Sequence, residues 1–305
     1  MKKMFLSVWI ILGTIALYGA GDLHLFSAPN AEGKINAAVI EKALESNGFY
    51  ISANSEMNEP FMKQFQQSDF ALFHLLTVFH KKHAASLVRN HPDAGIFVPM
   101  GVGIYQRKGE SNFHVSVLTA EAQKKIAGFD AVEFALIEKE MLSTLGKALP
   151  KGKHTLSETV LPKEGVLLSR YVRESDTENW KKDKEEVEMM IEDGLKPAGF
   201  VMSNFTDYNF MLSEEKESSP FDFYDTYSIC KLKVIYTVAK TRPEAAAFAP
   251  CTLMVYKKKG VNEIVTGFPG VYNWMSRARV NDPEAKATLL QAQKDFEEVL
   301  KAATE

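Results

Sequence analysis

"NHPDAGIFVPMGVGIYQRKG", Asn90 to Gly109, and "TRPEAAAFAPCTLMVYKKKG", Thr241 to Gly260, state nearly the same phrase twice in one chain. Pro92, Phe97, Pro99, Tyr105 and Gly109 recur as Pro243, Phe248, Pro250, Tyr256 and Gly260, at an offset of 151. The same offset carries "IEKALESNGFYIS" from Ile40 onto "IEDGLKPAGFVMS" from Ile191 without a gap. Between Ile35 and Gly109 on one side and Glu186 and Gly260 on the other there are 17 identities in 75 positions. A constant offset over so long a window is the signature of internal duplication.

Each copy reads as one α+β unit. "LHLFSAP" offers a strand, and Val39, Ile40, Ala43 and Leu44 make an apolar helical stripe matched by Met190, Ile191, Gly194 and Leu195. Gly48 and Gly199 suit the left-handed position that ends a helix, and "FYISA" and "FVMSNF" read as the strands that follow. "AASLVRN" and "KVIYTVAK" also read as strands, as do "PMGVGIYQRK" with "PCTLMVYKKK" and "FHVSVLT" with "EIVTGF". "VEFALIEKEMLSTLGKAL" and "DPEAKATLLQAQKDFEEVL" read as closing helices, and "SEEKESSP" as a surface loop. The expected fold class is α+β, in two repeated domains, each a mainly antiparallel sheet with helices packed on one face. Residues 21–150 form the first, 151–165 an exposed linker and 166–305 the second.

The order helix, "GF", strand, polar-Pro turn, then a Pro-led strand carrying "IY" or "VY" and a charged hairpin resembles domain-of-unknown-function family 302. The resemblance covers most of both copies. It implies a TATA-binding-protein-like α+β fold and a dimeric habit, so that two copies in one chain stand in for a dimer. The family's usual turn is Gly-Asn-Pro, whereas this chain has Asn90-His91-Pro92 and Thr241-Arg242-Pro243. A ligand role for that glycine therefore does not carry over, and the family brings no established reaction.

A chain of 305 residues accommodates two such domains, each with its own core. A formal net charge of −3 gives no bulk attraction for nucleic acid or an anionic membrane. Lys2 and Lys3, an apolar run from Met4 to Tyr18 and the small residues Gly19 to Gly21 have the order of an export signal cut after Ala20. The expected location is periplasmic or secreted, in a bacterium. Tyr18, three residues before the cut, is an imperfect fit, and an uncleaved N-terminal anchor is the alternative. Nothing later is long and apolar enough to span a bilayer.

The chemistry-bearing residues are few. Asn90 with Asp93, and Thr241 with Glu244, have the spacing of a helix N-terminal cap; a basic-acidic site using His91 or Arg242 is the other reading. Strand alternation puts Met100, Val102 and Ile104 toward the helices, and Gly101, Gly103 and Tyr105 on the opposite face, where Tyr256 is the counterpart of Tyr105. Such a face packs on the other copy or lines a ligand cleft. "GFPGVYNWMSRARVNDPEAK" gathers Tyr272, Trp274 and Arg277, either a ligand-holding aromatic-Arg segment or a helix that buries its aromatics. His80 and His83 are weak metal-ligand candidates with no counterpart in the second copy, which has Lys231 and Val234. Cys230 and Cys251 align with Phe79 and Met100 and read first as small buried hydrophobes, then as a disulfide, then as reactive thiols.

No motif for nucleophilic catalysis and no phosphate-cradling loop is present in the sequence. The expected function is an exported, non-catalytic binding or interaction protein without a cofactor. Its ligand or partner, a small molecule or a protein, lies between the repeats of an internal pseudo-dimer or at the aromatic-Arg segment. The alternative is a periplasmic redox or metal-linked accessory enzyme using Cys230 and Cys251 or His80 and His83.

Overall fold

In a computed structural model, residues 21–176, 178–214 and 218–305 are described; the export-signal segment 1–20 lies outside them. The first half runs β1 (Leu23–Pro29), α1 (Ala37–Glu45), β2 (Phe49–Glu56), α2 (Asn58–Phe65), β3 (Phe70–His80), α3 (Lys81–Asn90), a 3₁₀ segment (Pro92–Phe97), β4 (Met100–Arg107), β5 (Asn112–Leu118), α4 (Ala120–Ala127) and α5 (Val132–Ala148). After the short β6 (Lys153–Leu156), the second half runs β7 (Leu168–Glu174), α6 (Trp180–Leu195), β8 (Val201–Asp207), α7 (Tyr208–Glu214), β9 (Phe221–Cys230), α8 (Leu232–Thr241), a second 3₁₀ segment (Pro243–Phe248), β10 (Cys251–Lys258), β11 (Glu263–Pro269), α9 (Tyr272–Arg277) and α10 (Pro283–Thr304). The protein is mixed α+β with two antiparallel sheets, ordered β2-β3-β4-β5-β1-β6 and β8-β9-β10-β11-β7.

Small details recur in both halves because the same side chains meet the same backbone. Ser68 Oγ donates to Asn58 and accepts the Phe70 N–H; Ser219 does the same with Asn209 and Phe221. Gly48 and Gly199 have φ of 86° and 77°, the left-handed conformation that lets the chain leave α1 and α6.

Two expected strands are helices. "AASLVRN" lies in α3 and "KVIYTVAK" in α8, burying Ala84, Leu87 and Val88, and Val234, Ile235 and Val238. These residues are three or four apart, so one helical face meets the core, and that burial outweighs the strand preference of a β-branched run. The neighbouring strands are instead β3 and β9, whose faces are both largely buried. A strand covered on both faces shows no polar alternation.

The expected caps also differ. Neither 3₁₀ segment has a side-chain cap. Asp93 instead accepts the Tyr256 hydroxyl at 2.7 Å and lies 3.4 Å from Arg170, both in the other half. Each 3₁₀ segment thus serves the opposite sheet. The Pro92 carbonyl accepts from Tyr224, and Thr252 Oγ1 donates to the Pro99 carbonyl at 2.7 Å. Reciprocally, the second 3₁₀ segment lies on β4. A Cβ at Gly101 would stand 2.6 Å from the Ala247 carbonyl oxygen, and one at Gly103 would stand 2.6 Å from the Ala246 Cβ. One apolar core runs through this seam into both halves, while a second sits between β9–β11 and the helices α6 and α10.

The 151–165 connection is exposed in its side chains along β6, but its backbone is bound on both sides. β6 pairs with β1, and the Leu161 N–H donates to the Ser276 carbonyl at 2.9 Å. His24 Nε2 lies 2.8 Å from Glu138 Oε1, and its Nδ1 lies 2.9 Å from His154 Nε2 on β6. The His24 hydrogen bond, with the Ala120 N–H, holds the Glu138 carboxyl below the usual carboxylate range despite its burial.

Gly101→Ala should cost about 1–3 kcal/mol, because the added methyl meets backbone that cannot rotate away; chemical denaturation reads it. Glu138→Gln should cost about 1 kcal/mol at pH 7. A depressed carboxyl stabilises the fold above its unfolded pKa and ceases to as pH falls through its folded pKa. The gap between the Glu138→Gln variant and the parent should therefore close on acidification, in a thermal-denaturation series.

Candidate functional site

The two tyrosines have different surroundings. Tyr256 is buried, stacks on Tyr224 with centroids 5.2 Å apart and planes 1° off parallel, and spends its hydroxyl on Asp93. Tyr105 is partly exposed and stacks on His114 at 4.9 Å. Burial raises both phenols above their ordinary range. The glycines between them are covered by the second 3₁₀ segment, so packing fills the cleft expected there.

The aromatic-Arg segment lies mostly inside. Asn273, Trp274 and Arg277 of α9 are buried, while Tyr272 keeps some surface and packs against Gly165. Arg277, read as a ligand contact, is consumed by the structure: it pairs with Asp22 and bonds Asn273 Oδ1 at 3.2 Å. Asp22 also holds Lys125 at 3.2 Å. A buried guanidinium already matched by a buried carboxylate offers nothing to an incoming anion.

His80 and His83 are adjacent, with ring centroids 4.5 Å apart. His80 Nδ1, however, accepts the His83 backbone N–H at 3.4 Å as the cap of α3, and burial lowers its pKa. Among the described residues no group of three or more His, Cys, Asp or Glu is placed to hold a metal.

Trp274 leads to the site that the structure does build. It is one wall of a small cavity between the β9/β10 strand ends, α8, α9 and α10, partly open to solvent and with about 30 Å³ of free space. Ile229, Val234, Ile235, Phe268, Val271 and Phe296 make the walls apolar, and Ala292 leaves room on the α10 side. Cys230 closes β9 and Cys251 opens β10, and both line this one cavity as free thiols. The disulfide reading therefore gives way to two neighbouring thiols.

Burial pushes the Cys230 thiol up to about 11. Burial and the neighbouring Cys230 push Cys251 up to about 12, against a hydrogen bond with Trp274 that lowers it. At the rim, Lys231 Nζ bonds Asp295 of α10 at 2.7 Å and lies 4.9 Å from the Phe200 ring centre. Gln293 is fixed by the Val271 N–H at 2.8 Å and by Ser169 at 3.1 Å. Trp274 also packs on Phe248 of the second 3₁₀ segment, with centroids 5.9 Å apart, so cavity and seam share a wall.

Phe200, Lys231 and Gln293 were not legible as site residues. Phe200 reads as a strand start after Gly199, and Gln293 as the polar face of an amphipathic helix. The available signal was the pair of cysteines, whose strand positions suit an apolar lining.

Fold and cavity define a class: an α+β protein of two antiparallel sheets that interlock, with a small apolar cavity, partly open to solvent, in the second half. Residues 177–303, which carry the whole pocket, match the family described as Domain of unknown function DUF302. The first half lies outside that match. A solved structure described as an uncharacterized conserved protein DUF302 from Bacillus stearothermophilus is similar over 46% of this chain and 100% of its own, at 18% identity and a TM-score of 0.37. No curated protein matches. No helix among the described residues is long and apolar enough to cross a membrane.

With thiols raised this far, alkylation at pH 8 should be on the order of 100-fold slower than for free cysteine. Its rate should climb with pH without a plateau below about pH 11, the value for Cys230. Iodoacetamide kinetics across pH 7–10 check this.

Proposed function

We propose that this chain is an exported, non-catalytic binding protein. Two copies of one α+β domain, 21–150 and 166–305, pack as an internal pseudo-dimer, and a small ligand is held in the second copy beside Trp274. The observation that carries the reading is the cavity itself: apolar walls, a fixed Gln293 and a charged Lys231–Asp295 closure at the mouth. Pockets that bind small ligands combine an apolar lining with a few placed polar groups. The charged-apolar-small order of residues 1–20 supports export. The common strand order of the two sheets and the constant offset of 151 support duplication, with the first half contributing the seam.

Thiolate catalysis finds less support, because both sulfurs are protonated at neutral pH. His80 has its Nδ1 engaged by the helix it caps. Net charge gives nucleic acid no purchase.

Xenon, an apolar atom matched to so small a cavity, should bind once per chain under pressure and quench Trp274. Ala292→Leu adds three carbons to the cavity wall and should abolish xenon binding while costing the fold about 1–3 kcal/mol by overpacking, read by chemical denaturation. Unchanged xenon binding in the folded Ala292→Leu variant places the xenon elsewhere and sinks the reading.

A further inference from the structure

We infer that the ligand of this cavity is one soft, monovalent, thiophilic metal ion, copper(I) in a biological setting, held between the sulfurs of Cys230 and Cys251. The inference rests on the binding reading above and narrows its ligand.

The donor set makes the choice. Cys230 and Cys251 are the chain's two cysteines, they sit on adjacent antiparallel strands, and both line the same cavity as thiols. The rest of the wall is hydrocarbon and aromatic, with Gln293 already bonded to Val271 and Ser169. Calcium and magnesium need six or more oxygens, and structural zinc needs four ligands. A filled-shell monovalent ion is satisfied by two thiolates in line and prefers sulfur to nitrogen or oxygen.

Charge and protons balance. Two S–metal bonds form as two S–H bonds break; both protons leave to solvent, and no electron is transferred because the ion enters and stays monovalent. The centre that results carries one negative charge. Lys231 lines the same cavity, its ammonium 2.7 Å from Asp295 at the mouth. The apolar walls leave the ion no oxygen or imidazole ligand to compete with the two sulfurs, since the Gln293 amide is already bonded. Trp274, hydrogen-bonded to Cys251, stands close enough to report occupancy by its fluorescence.

The test is an anaerobic titration of the reduced full chain with copper(I) against a chromophoric copper(I) chelator, repeated with silver(I) and zinc(II). One copper(I) or silver(I) per chain is expected, with quenching of Trp274 and no uptake of zinc. Cys230→Ser and Cys251→Ser should each weaken uptake by roughly 100-fold or more. Circular dichroism and thermal melting show whether those variants are folded. The inference is overturned if the chelator keeps all the copper, if zinc is taken up equally well, or if either folded serine variant binds within about threefold of the parent. Should xenon bind and copper not, the cavity reading stands and the metal is wrong; should neither bind, both fail.

Discussion

Everything in this protein hangs on two short 3₁₀ segments, each seated on the central strand of the opposite sheet. The contact is close because Gly101 and Gly103 have no side chains where Ala246 and Ala247 arrive. Interiors are packed to near crystal density, so a single methyl in such a place is felt as strain on backbone. Tyr256 and Tyr224 reach into the facing segment at Asp93 and Pro92, so polar bonds and apolar packing fix the same register. Asp22 with Arg277 then ties the start of β1 to α9, a second bond across the halves in low-dielectric surroundings. Since one core runs through both halves, neither buries its inner face alone.

The cavity is a by-product of that arrangement. The second 3₁₀ segment must turn away from β4 to enter β10, and Phe248 at the turn supports Trp274 from behind. Cys251, the first residue of the strand, lies on the far side of the same turn, its sulfur 3.9 Å from the Phe248 carbonyl. The seam and the cavity wall therefore share one aromatic contact.

Much of this was legible in the residues. Offset, glycines at helix ends, Pro-led strands and closing helices are local signals with local causes, and the α+β class follows from them. The exchange of α3 and α8 for strands, and the overlooked β3 and β9, share one cause: elements buried on several sides lose the periodicity that reveals them. Alternation did set the glycine face of β4 toward the other half. Where Asp93 sends its carboxylate was not legible, because a capping pattern and a cross-half hydrogen bond look alike until the partner Tyr256 is placed. Arg277 misled for the same reason, its partner Asp22 being 255 residues away. The two cysteines were legible as apolar-side residues but not as neighbours, which depends on where two strands happen to end.

The glycine seat has one more consequence. At the positions 151 apart, the first half has Met100 and Gly101 where the second has Cys251 and Thr252. A symmetric pair of identical subunits would need a single residue to satisfy both places at once, leaving room for a neighbour's backbone and lending a hydroxyl to the Pro99 carbonyl. One chain with two unlike halves is released from that compromise. Close approach is paid for once, in the first half, and the second half's strand is free to carry sulfur to the wall of a pocket.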